Sequence, residues 1–324
     1  MTRQPGRSRG FSLIELMVAM VIGLLLLGGL VILMVNSKKN YATQDYSARL
    51  QENARFAIHF LSYDIRMAGY YGCSNDIIND TNIKAIAPVD SSSGSPDGIT
   101  ITYGEPYQPG TEITLDPSAY DAYGDPDKLF VTSIPQEWKD GDTLVIGDCG
   151  SASIADIAAG GINPADNSVT LDLSKTSASS LGRIYDPSNV AGGPITVRLL
   201  VSNDYTIAKD STTGVPTLMR NNQPLVEGVE NMQLLYQSLT GGAFVTGASP
   251  PSNVAAVQLA MLVRSVSNEN LENNPDREYG SGAAITEDKG QYTLLGQNVA
   301  ADTPTIRGQR HVFNTALAVR NRPL

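Results

Sequence analysis

The sequence predicts an α+β protein. A long N-terminal helix, transmembrane in its first half, packs on an antiparallel β-sheet domain with long loops. Three observations predict it. Residues Phe11 to Val35 form an apolar run in which Glu15 is the only ionisable group. Apolar residues then recur at helical spacing as far as Ala68. Beyond Gly69, short runs rich in Val, Ile, Leu and Thr alternate with clusters of Gly, Pro, Asn, Asp and Ser, the pattern of strands and turns.

Residues 11–35 come first. A helix of that length covers about 37 Å, enough for a hydrocarbon core of about 30 Å with some tilt. Arg3, Arg7, Arg9 and the initial amine precede the run, and Lys38 and Lys39 follow it. That bias places the N-terminus in the cytoplasm and the bulk of the chain across the membrane. A secretory signal peptide fits poorly, because the run is long and no small-residue cleavage site closes it. Glu15 is the anomaly. A charged side chain at mid-bilayer costs roughly 2.5–3.5 kcal/mol, less near the interface, so the acid needs a cationic partner.

Residues 36–68 continue the helix. Tyr46, Leu50, Ala54, Ala57, Leu61, Ile65 and Ala68 recur at spacings of three and four, one face of a 3.6-residue period. Phe56, Phe60 and Tyr63 broaden that face, and the stripe reads as core packing. Gly69 suits a C-terminal cap. Phe11 to Ala68 then makes a near-continuous rod of about 87 Å.

Residues 69–324 are long enough for a sizeable core. Candidate strands are Ile99–Tyr103, Leu129–Ser133, Thr143–Ile146, Val169–Leu173, Ile195–Ser202, Thr217–Arg220, Met232–Gln237, Val257–Val266 and His311–Val319. They do not alternate with helical patterns, which argues against a parallel sheet of the nucleotide-binding kind. The sequence has no fixed-period repeat.

Composition narrows the function. The chain carries 33 acidic and 23 basic residues, a formal net charge of −10. Such a balance argues against nucleic acid or anionic lipid as partner of the domain as a whole. Arg307, Arg310, Arg320 and Arg322 cluster near the C-terminus, where pairing with acids of the same protein or solvation is the simpler expectation. His59 and His311 are the only histidines, and neither sits in a catalytic motif. Nucleophile-elbow and phosphate-loop patterns are absent, so no catalytic residue and no cofactor is assigned. Asp121, Asp125 and Asp127 form an acidic cluster without EF-hand spacing; it reads as a turn with solvated charges, with calcium as the rival. No metal site is assigned.

Gly10-Phe11-Ser12-Leu13-Ile14-Glu15-Leu16, after a short basic leader and before a long apolar run, resembles the class III signal of type IV pilins and pseudopilins. The resemblance implies that residues 1–10 are a leader and that a prepilin peptidase cuts between Gly10 and Phe11. It also implies that Phe11 is then N-methylated and that Glu15 is the acid used in subunit assembly. The new amine would be largely cationic at neutral pH and could pair with Glu15 of a neighbour. Losing the leader's three arginines raises the acidic excess to 13.

Further blocks are similar to the W-type minor pilins of that family. They are Asp64–Cys73, Gly147-Asp148-Cys149, Leu225–Tyr236, Val257–Ser265 and Arg310–Arg322. Unlike many major pilins, the apolar span has no proline, so the resemblance carries no kink there. Cys73 and Cys149 are the only cysteines. In a domain facing an oxidising compartment they are most simply one disulfide, with a metal site as the rival.

The resemblance thus implies a minor pilin, a structural subunit rather than an enzyme, that helps prime pilus assembly at or near the tip. Implied partners are the prepilin peptidase, other minor pilins, the major pilin and, at the tip, an adhesin. The chain would sit in the bacterial inner membrane through residues 11–35 with its domain in the periplasm, and reach the cell surface after assembly. Two alternatives stay open: a J-like pseudopilin of a type II secretion system, and a membrane-anchored adhesin that never polymerises.

Overall fold

The computed structural model describes residues 12–72, 83–91, 94–105, 112–116, 127–149, 152–172, 195–251, 253–265, 291–300 and 310–320. The chain divides into two units, one containing the helix as far as Arg49 and the other everything described from Leu50 onwards. A single helix, α1 (Leu13–Met67), carries both the apolar span and the amphipathic segment. It ends where expected. Gly69 takes a left-handed backbone (φ 72°), which costs no steric penalty only in glycine, and its N–H donates to the Thr102 carbonyl at 3.0 Å.

The domain is built from antiparallel strands. In chain order they are β1 (Ile86–Val89), β2 (Gly98–Gly104), β3 (Lys128–Phe130), β4 (Thr143–Gly147), β5 (Ala152–Asn163), β6 (Ser168–Asp172), β7 (Thr196–Lys209), β8 (Pro216–Arg220) and β9 (Gln223–Glu227). Then come β10 (Val229–Ser238), β11 (Val245–Thr246), β12 (Val254–Arg264), β13 (Gln291–Leu294), β14 (Gln297–Ala300) and β15 (Arg310–Ala318). The first nine form one sheet ordered β1-β2-β7-β4-β5-β6-β3, with β8 and β9 added beside β7. β7 is its hub. Its first residues pair with β4, its middle with β2 and its end with β8. A second sheet runs β11-β10-β12-β15, and β13 pairs with β14 as a separate hairpin.

All nine strands expected from the sequence have counterparts here. The six others lacked a signal for physical reasons. β5 is rich in Ala and Gly, poor strand formers, and is held by pairing with β4 on one side and β6 on the other. β1, β9, β11, β13 and β14 each bury at most one apolar residue among the described side chains, so none carries an apolar run into the core.

One core joins α1 to both sheets. Leu50, Ala54, Ala57, Leu61, Ile65 and Ala68 are fully buried. They meet Ile99, Ile101 and Tyr103 of β2, Tyr205 of β7, Leu218 of β8, Met232, Leu234 and Tyr236 of β10, and Val257, Leu259 and Met261 of β12. Each buried Leu or Ile contributes about 1.5–3 kcal/mol relative to exposure. A second core lies along the β3, β4, β5, β6 and early β7 part of the first sheet, around Leu129, Trp138, Leu144, Ile157 and Val197. The β13–β14 hairpin covers Ala260 and Leu262 of β12 with Leu294 and Val299.

The aromatic part of the stripe is a correction. Phe60 is half-buried against the core, but Phe56 and Tyr63 are 50% and 51% exposed. The buried face is narrower than their spacing suggested. Small alanines at 54, 57 and 68 bring the helix close to the sheets and leave its flanks outside.

Candidate assembly site

The first unit presents an apolar surface with one acid at its start. Between Leu13 and Val35 no residue is buried, and Leu13, Leu25 and Leu24 are 79%, 73% and 69% exposed. A helix so long and apolar is able to cross a membrane, and water would not tolerate it bare. Ser12 is the N-cap. Its carbonyl accepts the N–H groups of Glu15 and Leu16 at 3.1 and 3.2 Å. Glu15 occupies the third helical position, so Ser12-Leu13-Ile14-Glu15 has the spacing of a capping box. Its carboxylate is exposed, in the first turn, where unsatisfied N–H groups favour an anion. Gly10 and Phe11, the expected cleavage and methylation positions, lie outside the described residues.

The second unit holds two buried ionic centres that the sequence did not single out. Asp64 of α1 is 1% exposed. Its Oδ1 accepts the Tyr103 hydroxyl at 2.9 Å. Its Oδ2 accepts the Tyr205 hydroxyl at 2.7 Å and the Asn203 amide at 2.9 Å, and lies 3.3 Å from Arg220 Nη2. Burial, with the carboxylate beside them, pushes both tyrosine hydroxyls well above their usual range. They therefore remain protonated and donate, which is what a buried carboxylate requires. The signal was available. Asp64 stands three residues beyond Leu61 and seven beyond Ala57, on the buried face of the stripe.

The other centre is Glu230 on β10. Arg310 of β15 holds it through two bonds of 2.8 and 3.0 Å, and Arg264 of β12 lies 3.6 Å away. All three side chains are at least nine-tenths buried. Arg310 therefore pairs with an acid of this chain, as expected, while Arg320 is exposed and Arg307 and Arg322 lie outside the described residues. A third polar tie joins the two sheets. Asp97, just before β2, accepts the Leu234 N–H of β10 at 2.9 Å and the Ser91 N–H at 3.2 Å.

Cys149 is disulfide-bonded. Cys73 lies outside the described residues, but its neighbour Gly72 does not. Gly72 (φ 98°) packs so closely on β7 that an added Cβ would stand 3.0 Å from Thr196 Oγ1 and 3.2 Å from Arg198 Nε. Thr196 is also the register partner of Gly147, two residues before Cys149, and donates to its carbonyl. Of the remaining candidates, His59 and His311 are exposed and lie edge-on to Phe60 and Phe313 at 5.9 and 6.5 Å. Asp127 sits in a turn before β3, and Asp121 and Asp125 lie outside the described residues.

Residues 5–31 match the prokaryotic N-terminal methylation motif, and residues 203–321 match the family described as Type IV Pilus-assembly protein W. A solved type IV-like pilin from Thermus thermophilus is similar at 12% identity, covering 84% of this chain and 96% of that one with a TM-score of 0.34. No curated protein matches.

Proposed function

Since the chain is a type IV pilin-like minor pilin with a PilW family domain, a structural subunit and not an enzyme, we propose that it helps prime pilus assembly at or near the tip with other minor pilins. One observation supports this reading most. An exposed apolar helix starts with a single acid in its first turn, and that surface must be covered by lipid before assembly and by other helices after it.

The mechanism follows from charge. Prepilin peptidase cuts between Gly10 and Phe11, and Phe11 becomes the N-methylated terminus. Its amine is cationic at neutral pH. Within an apolar medium, Glu15 of one subunit pairs with the Phe11 amine of the next, because an unpaired charge there is costly. The pair rewards one axial registry between subunits. Before assembly the chain sits in the inner membrane through residues 11–35, N-terminus cytoplasmic and domain periplasmic.

A Cys73–Cys149 disulfide completes the reading. Gly72 and Gly147 both lie against Thr196, so the chain leaving α1 and the chain leaving β4 converge on one point of β7. The bond would fasten the end of the helix to the sheet in an oxidising compartment.

The test is Glu15→Ala in cells. The variant should insert and be processed to Phe11 yet be missing from sheared pili. Normal incorporation would sink the Glu15 mechanism. Deleting the gene should abolish or reduce pili and leave protein secretion intact; the opposite pattern supports a J-like pseudopilin. If Phe11 is not the mature N-terminus, the chain is an anchored binding module instead.

A further inference from the structure

The loop between β1 and β2 and the middle of β10 enclose a cavity of about 220 Å³ in the second unit, and the turn of the β13–β14 hairpin completes its wall with Leu295. The loop is fastened to β10 at four points. Asn231 Nδ2 donates to the Gly94 carbonyl at 3.1 Å and Gln233 Nε2 to the Ser95 carbonyl at 2.7 Å. The Asp97 N–H donates to the Met232 carbonyl at 2.8 Å, and the Leu234 N–H to Asp97 Oδ2 at 2.9 Å. A cavity this small suits a single side chain or a small molecule rather than a cofactor.

Its buried polar groups all point to the same kind of occupant. Asp97 and Gln233 are 6% and 5% exposed. The Asp97 carboxylate takes one N–H on each oxygen, from Ser91 and from Leu234, and each oxygen has room for another donor. Gln233 Nε2 uses both of its hydrogens, on the Ser95 carbonyl and, at 3.0 Å, on Asn231 Oδ1. That fixes the orientation of the amide and leaves Oε1, an acceptor, without a donor among the described residues. Asp90, another liner, is exposed and stands at the mouth. No Lys, Arg or His lines the cavity.

An occupant must therefore bring both N–H or O–H donors and positive charge. A bare metal ion fits poorly. Among the described residues no three His, Cys, Asp or Glu side chains gather as metal ligands, and Leu235 and Leu295 make part of this wall apolar. A primary ammonium on a carbon chain satisfies both halves. It has three N–H donors for Asp97, Gln233 and Asp90, and methylenes to lie against the leucines.

We propose that this cavity binds a primary alkylammonium group, carried by a lysine side chain or by a free amine, with Asp97 and Gln233 accepting at its floor and Asp90 at its mouth. The site is separate from Glu15 and stands whether or not the chain joins a pilus.

Amide hydrogen exchange on the full chain in detergent tests it, with n-butylammonium as the probe. Tetramethylammonium supplies charge without N–H, n-butanol supplies the carbon chain without charge, and Ca²⁺ supplies charge without either. The probe should slow exchange at Ser91 and Leu234, whose N–H groups hold Asp97, at least threefold, and none of the other three should match it. Asp90→Asn, a change at an exposed position, should need at least fivefold more probe for the same protection, and Asp97→Asn should abolish the effect. Equal protection by tetramethylammonium or n-butanol, protection by Ca²⁺ alone, no protection by the probe, or protection that survives both variants would each overturn the proposal. Carbodiimide coupling on intact cells then separates the two sources, because it joins a carboxylate to an amine in contact with it. An amide between Asp90 and a lysine of another protein supports the site with a side chain as its occupant; probe protection without that amide supports it with a free amine.

Discussion

The Tyr205 hydroxyl, on the hub strand of the first sheet, donates to Asp64 on α1 at 2.7 Å, across 141 residues of sequence. Tyr103 and Asn203 donate to the same carboxylate and Arg220 balances its charge. The helix is thus keyed to the sheet by charge and direction as well as by apolar burial. Asp64→Ala leaves three buried donors without their acceptor. It should cost about 3–5 kcal/mol, the range for breaking a buried ionic centre from one side. Urea unfolding of the full chain in detergent checks this as a lowered midpoint. Tyr205→Phe should cost less, on the order of 1–2 kcal/mol, because Asp64 keeps its other partners.

Asp97 gives the fold a pH signature. Its burial raises the carboxyl above the ordinary 3.8, further helped by Asp90, while the Leu234 and Ser91 N–H groups pull it back in part. The folded chain therefore holds that proton more tightly than the unfolded chain. Stability linked to Asp97 is full below the ordinary carboxylate value and is lost as pH rises through the folded-state value above it. Asp97→Asn removes this titration. The variant's urea midpoint should gain on the parent's as pH rises through that window and level off beyond it. Parallel curves between about pH 3 and 7 would refute the linkage.

What the sequence made legible follows from how local each signal is. Glu15 announced itself because a single charge in an apolar run is visible within one helix. The helix stripe and nine strands were visible because their periods repeat within a short window. Asp64 was visible only as an acid on the wrong face, since its donors lie 39 to 141 residues away. Phe56 and Tyr63 were misread for the opposite reason. Periodicity says which residues share a side, and the width of the buried side depends on how closely small alanines let the sheets approach. β5 gave no signal because pairing on both edges, rather than its own Ala-rich text, makes it a strand.

Arg310 and Glu230 make a second prediction about buried charge. Their two bonds tie the C-terminal strand β15 to β10 across the intervening β12. Arg310→Met leaves Glu230 buried with the 3.6 Å contact to Arg264 as its remaining ion pair among the described residues and should cost about 3–5 kcal/mol. Amide hydrogen exchange resolves the effect, with β15 losing more protection in this variant than β2 of the first sheet.

Gly94 fixes the loop before β2. Its backbone is left-handed (φ 84°), and an added Cβ would stand 2.6 Å from the Asn298 carbonyl oxygen of β14. Gly94→Ala should therefore cost roughly 1–3 kcal/mol, through backbone strain and displacement of the hairpin. Exchange of the β13–β14 amides should rise more than that of the β10–β12 pair. A uniform change, or none, would mean that the hairpin does not depend on this contact.

Removing the disulfide separates two roles for the region where the helix hands over to the sheet. In the chain-entropy account, a loop closed between Cys73 and Cys149 stabilises by up to about 4–5 kcal/mol by restricting the unfolded chain. Asp64 and the apolar stripe act in the folded state and do not depend on the bond. Cys73→Ser and Cys149→Ser should therefore give equal losses, each matched by the double variant, with the helix still docked by circular dichroism and by protection of the Asp64 amide. Unequal single losses would mean that the two thiols are not partners. A helix that undocks would mean that the covalent tie, rather than the buried acid, holds α1 to the sheet.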